Sequence, residues 1–181
     1  MDVINDRRKR SWILTFLTSL YLSLHSIPVF FCLFGKELII TIDTPMSLHI
    51  TNFFLMHLIL DLCVGALFYR EYLKPLEGIF HHVFYIALLS IFKFLKMTSA
   101  FYMFIWCEIP TLILAMGVLF PKYKWKFGFK ISFLLLRIIL FVYVSIKYLI
   151  HCTDDVFFWS IYPPLTISFM HIHWFLKLIR S

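Results

Sequence analysis

Charge is what this chain has least of. Lys, Arg, Asp and Glu together make up 15% of its 181 residues, where a soluble domain carries about a quarter. The net charge of +7 taken alone suggests a nucleic-acid partner. The basic residues lie between apolar runs, however, where they set membrane orientation, so no nucleic acid is expected. Cysteine is also sparse: Cys32, Cys63, Cys107 and Cys152 have no paired spacing and lie in or at the ends of apolar runs. That excludes a disulfide or zinc framework and makes them small core residues. Eight histidines are present, but no two stand three or four apart, which excludes the clustered imidazoles of a di-iron desaturase or hydroxylase. No metal or resident cofactor is expected. No glycine-rich phosphate loop, Walker motif or G-x-S-x-G elbow occurs. Repeats and low-complexity tracts are missing as well. Small residues are too few, among 22 phenylalanines, to line a wide wet pore.

What is present is apolar length. Apolar residues form 61% of the chain and the mean hydropathy is +0.87, which fits a chain whose solvent is a bilayer. A hydrocarbon core of roughly 30 Å takes about 20 helical residues. Six segments reach that length: 11–34, 47–69, 76–96, 99–120, 131–151 and 156–178. Open sheets cannot satisfy their backbones in lipid, so each is expected to be a helix. The fold class is therefore all-α, a polytopic membrane protein with six transmembrane helices. The first apolar run is too long for a signal peptide and has no small-residue cleavage site, so it reads as a retained helix. Only Met97 and Thr98 separate the third and fourth segments, which predicts a tight antiparallel hairpin.

Loop charge orients the bundle. Arg7, Arg8, Lys9 and Arg10 precede the first helix. With them in the cytosol, so are Arg70 and Lys74, then Lys122, Lys124, Lys126 and Lys130, then Lys177 and Arg180. Only Lys36, Lys93, Lys96 and Lys147 fall on the other side. The bias places both termini in the cytosol and supports an even number of spans.

Ionisable groups in mid-membrane cost about 2.5–3.5 kcal/mol each on insertion scales, so they face inward and find partners. The candidates are His57, Asp61, His81, His82, Glu108, Arg137 and His171. At 1.5 Å per helical residue, Asp61 lies ~12 Å, His81 and His82 ~8–9 Å, Arg137 ~9 Å and His171 ~10 Å from the cytosolic ends of their helices, with His57 and Glu108 roughly 18 Å in. Four helices thus bring polar groups to one level, which predicts a polar pocket open toward the cytosol. His57 and Asp61 are i and i+4 and share a face, as do His81 and Tyr85. His171 and His173 lie on nearly opposite faces, so at most one looks inward. His25, His49 and His151 fall near helix ends or alone and read as interfacial. Asp61, Glu108 and Arg137 fit a purely structural network as well as a site. The adjacent pair His81-His82 is the hardest to explain by packing.

The order of these features resembles the TLC-domain family, which includes ceramide synthases, translocating-chain-associated membrane proteins and small TLC-domain-containing proteins. The stretches that carry the resemblance are "MHLILDLCVGALFYREYLKPLEGIFHHVFYI", "WCEIPTLILAMGVLFPKYKWKFGFK", "LLLRIILFVYV" and "MHIHWFLKLI". The run after His82 lacks the polar positions of the synthase motif, and Glu108 is the only carboxylate on the next helix. His171 stands where the family leads one to expect Asn. The small non-synthase members are the better likeness.

The resemblance implies a TLC-type bundle, with residues 1–46 as basic N-terminus, first span and lumenal loop, and 47–181 as a TLC-like domain of five further spans. It implies an integral membrane protein of the endoplasmic reticulum that acts in lipid homeostasis, with membrane lipids as partners. By analogy with the synthases, His81, His82 and Asp61 would be catalytic. Glu108, Arg137, His57, Tyr85 and His171 would bind substrate. The reaction would be N-acyl transfer with acyl-coenzyme A as co-substrate. One imidazole would serve as base or nucleophile toward the thioester while Asp61 orients it, and Arg137 with the Lys122–Lys130 loop would attract an anionic head group. The alternative is a non-catalytic adaptor or trafficking factor that holds partner membrane proteins, its polar network structural.

Overall fold

A computed structural model describes residues 6–33, 43–151 and 154–180. Lys36 and Cys152, and the side chains of Cys32 and His151, lie outside what it describes. Among the described residues every regular element is helical. They comprise α1 (Arg7–Arg10), α2 (Ile13–Leu33), α3 (Pro45–Phe68), α4 (His81–Phe94), α5 (Thr98–Tyr102), α6 (Glu108–Leu119), α7 (Lys126–Ser132), α8 (Phe141–His151) and α9 (Asp154–Ile179). A π turn, Pro75–Phe80, leads directly into α4, and a second, Phe133–Leu140, joins α7 to α8. Four helical stretches are long and apolar enough to cross a membrane: Arg7–Phe31, Pro45–Phe68, Thr98–Leu119 and Lys126–Lys147. Gly78–Phe94 is a shorter apolar helix.

Local chemistry sets the boundaries. α3 begins with a capping box: the Ser47 N–H donates to Thr44 Oγ1 at 3.0 Å and the Thr44 N–H to Ser47 Oγ at 2.9 Å. Pro45 occupies the first turn, where its missing N–H removes no bond. The same cluster ties α3 to α5. Asp43 Oδ1 accepts from the Thr98 N–H at 2.6 Å and the Thr98 hydroxyl at 2.7 Å, and Thr98 Oγ1 lies 2.9 Å from Ser47 Oγ. At the other end, Arg7 donates to the Phe68 carbonyl at 2.8 Å and approaches Glu71 at 3.6 Å. The N-terminal basic cluster and the α3–α4 connection therefore share one end of the bundle. Phe16 meets Phe120 at 6.2 Å, which brings the end of α6 to that side too.

The tight turn between the third and fourth apolar segments is present, with Lys96 in the left-handed region at φ 55°. The hairpin is not. α4 packs along α3 and α5, whereas α6 packs along α2, so the two rods diverge after the turn. Around their junction sits the core, with Trp106, Leu22, Ile50, Leu58, Leu89 and Val144 fully buried. The outward faces stay apolar: Leu17, Leu24, Phe31, Leu67 and Phe94 are more than half exposed, as lipid-facing helices require.

Candidate functional site

The polar residues gather in two groups, one beside each π turn. The first joins α2, α3 and α4. His82 Nδ1 donates to the Gly78 carbonyl at 2.6 Å, and its Nε2 lies 3.0 Å from Asp61 Oδ2. Both partners are acceptors. Either His82 carries both ring protons and pairs with a carboxylate, or Asp61 carries the proton. His57 sits alongside, 6.5 Å between ring centroids, with its Nδ1 3.1 Å from Thr18 Oγ1 and its ring stacked on Phe54.

The second group joins α6, α9 and the π turn that contains Arg137. Arg137 Nε donates to the Cys107 carbonyl at 2.8 Å, and one terminal nitrogen reaches Thr111 Oγ1 at 2.6 Å and Glu108 Oε1 at 3.4 Å. Its guanidinium also lies over the Phe133 ring. His171, 2% exposed, donates through Nδ1 to the Arg137 carbonyl at 2.8 Å, and His173 on the opposite face is exposed. The two groups share a feature: in each, an imidazole donates to a main-chain carbonyl of the π turn, His82 to Gly78 and His171 to Arg137.

His81 lies between the groups. Its ring is 4.7 Å from Tyr85 and 5.1 Å from Trp174, and Trp174 in turn is 6.0 Å from His171. It is within electrostatic reach of His82, His57, Arg137 and His171. His81 Nδ1 is buried and makes no hydrogen bond. The two histidines thus differ: both nitrogens of His82 are engaged, whereas His81 keeps one available.

Next to this belt lies a cavity of about 300 Å³. It fills the space opened where α4 and α6 part, and α8 and α9 close its far side. Tyr85, Cys107 and Glu108 stand among its lining at one end, Leu95 and Met97 at the other. Ile91, Leu95 and Tyr162 line it while about half exposed (53%, 50% and 51%), so it opens sideways between α4 and α9. This differs from the expected pocket in two respects. His81 and His82 do not line it, and it occupies the half of the bundle away from the Lys122–Lys130 loop. The reason is the divergence of α4 and α6 from the Lys96 turn, which leaves the space beside Leu95 and Met97.

The structure brings His57, Asp61 and His82 together, and separately Glu108, Arg137 and His171, with His81 and Tyr85 between. Asp61 does not meet Arg137. Thr18, Thr111, Trp174 and the Gly78 carbonyl were not expected at the site, because hydroxyls, indoles and main chain are cheap to place in a membrane helix and carry no sequence alarm. His49 of α3 pairs with the Tyr21 hydroxyl at 2.9 Å and His25 with the Tyr21 carbonyl, Tyr21 lying about one turn along α2 from Thr18. No family model, curated protein or solved structure matches this chain.

Proposed function

We propose that this chain is a six-span membrane protein of TLC type, both termini cytosolic, that holds one lipid or acyl chain within the bilayer as part of lipid homeostasis in the endoplasmic reticulum. The observation that carries the reading is the sideways-opening apolar cavity with a polar end. The volume is about 300 Å³. Pockets for small ligands begin at roughly this size. Lipid tails gain little by leaving one apolar medium for another, so selection falls to the polar end, where Tyr85 and Glu108 stand.

A second reading, acyl transfer, is favoured by the unbonded Nδ1 of His81. In that chemistry an amine nitrogen attacks the thioester carbonyl carbon and the carbon–sulfur bond breaks. The amine proton passes to the His81 imidazole and from there to the departing thiolate. His82, fixed by Gly78 and Asp61, positions its neighbour.

Lipid analysis of the detergent-purified protein, with an acyl-coenzyme A consumption assay, tests both. The expected outcome is one co-purifying lipid class, lost when Ile91→Trp fills the cavity mouth, and consumption abolished by His81→Ala. A folded Ile91→Trp protein that keeps its full lipid content ends the binding reading. Consumption unaffected by His81→Ala ends the transfer reading and leaves the polar belt as structural, as an adaptor would have it.

A further inference from the structure

The polar end of the cavity is built for a particular kind of head group. Glu108 is a carboxylate whose charge is already balanced: Arg137 reaches its Oε1, and Thr111 and the Cys107 carbonyl fix that guanidinium. The end as a whole is neutral. A cationic head would add a net positive charge beside Arg137 in a low-dielectric site, and an anionic head would face the Glu108 carboxylate. Two polar atoms remain unused. Among the described residues, neither Glu108 Oε2 nor the Tyr85 hydroxyl makes a hydrogen bond. Tyr85 and Glu108 both line the cavity and lie within electrostatic reach of each other. One of these atoms only accepts, and the other can donate. The remaining walls, including Leu88, Ile91, Phe92, Phe101, Phe104 and Ile167, are apolar.

We infer that the ligand of this cavity is an uncharged long-chain lipid whose polar end is a hydroxyl group. A hydroxyl is the smallest group that donates to Glu108 Oε2 and accepts from Tyr85 at once. A carboxylate has no proton to give to Glu108. An ammonium has no lone pair to take from Tyr85. The inference rests on the proposal that the cavity holds a lipid, and it adds the chemistry of the head.

The experiment uses the full chain in nanodiscs and a hexadecan-1-ol probe carrying a diazirine and an alkyne, with hexadecan-1-ol, hexadecanoate and hexadecylamine as competitors. The expected result is that the alcohol competes at least about tenfold better than the acid or the amine, since a hydrogen bond to a charged group supports a tenfold or greater preference. Tyr85→Phe, which keeps the ring packing, lowers alcohol competition by about tenfold and leaves the amine, which has no lone pair for the Tyr85 hydroxyl, unchanged. Glu108→Gln leaves Arg137 unbalanced and shifts preference toward the acid. Labelling that Ile91→Trp blocks, yet with acid or amine equal to or better than alcohol, overturns the hydroxyl inference and leaves the cavity as a lipid site. Labelling that is absent, or that Ile91→Trp does not reduce, overturns both.

Discussion

His82 and Arg137 present different problems to the membrane and are satisfied differently. Between the Gly78 carbonyl and Asp61, His82 needs two donors or one donor and a protonated partner. An amide at position 61 meets either tautomer, because it offers both an acceptor and a donor. Asp61→Asn is therefore expected to shift the unfolding free energy by less than about 1 kcal/mol, while Asp61→Leu, which strips the ring of its partner, lowers it by about 1–3 kcal/mol. Thermal unfolding in detergent separates the two. Arg137 and Glu108 form a partly buried pair, with side chains 11% and 18% exposed. Removing the guanidinium alone strands the carboxylate, so Arg137→Leu is expected to lose about 3–5 kcal/mol, and adding Glu108→Gln restores a large part of it. Expression level and melting temperature of the single and double variants are the readout. If the double variant is no better than the single, the pair is not the reason Arg137 is there.

The identity of these residues was legible in the sequence; their pairing was not. Counting along helices put His57 some 9 Å deeper than His82, yet their rings stand 6.5 Å apart. Side chains span several ångströms, and the π turn before His81 shifts the register of α4. For the same reason the Arg137 carbonyl could not be foreseen as the partner of His171. Nothing in "FLLLRIIL" distinguishes a π turn from an α-helix, since both are apolar and both keep the backbone bonded. The opposed faces of His171 and His173 were legible, because their spacing of two fixes them whatever the helix does.

Among the helices, the connection after α4 decides the architecture. Lys96 takes a positive φ, which costs a non-glycine residue about 1–2 kcal/mol. Lys96→Gly is expected to raise stability by roughly 0.5–1 kcal/mol, measured as an upward shift of the unfolding midpoint. The turn is held by Asp43 and Thr98. Thr98→Val removes the hydroxyl that both Asp43 and Ser47 meet, and the expected loss is about 1–3 kcal/mol. Because this latch fixes where α4 departs from α5, the variant is also expected to narrow or collapse the cavity and to lower lipid retention. A Thr98→Val protein with lower stability but unchanged lipid content would uncouple the latch from the cavity. The tight turn was readable from the two residues between the apolar runs. The divergence of the rods was not, because it depends on α6 finding α2 as its neighbour, a choice between equally apolar faces.

For the molecule as a whole, hydropathy carried most of the information: the chain is helical, and at least four stretches suit a bilayer. The contact of Arg7 with Phe68 and Glu71 groups the N-terminus with the α3–α4 connection, as the charge bias required. Single cysteines at positions 8, 72 and 123 in a protein lacking its native cysteines are expected to label from the cytosolic side alone, and one at position 97 only after the membrane is permeabilised. Labelling of position 123 from the opposite side would break the alternation. What no hydropathy plot contains is the cavity, since empty space between helices is a property of how they cross.

An experimental density map of the protein in lipid nanodiscs tests the central claim most directly. The expected map has one elongated chain between α4 and α9, its tail beside Ile91 and Phe104 and its head beside Glu108 and Tyr85, with His82 still against Asp61. A map in which side chains fill that space, or in which the imidazoles of His81 and His82 face the surrounding lipid, would contradict it.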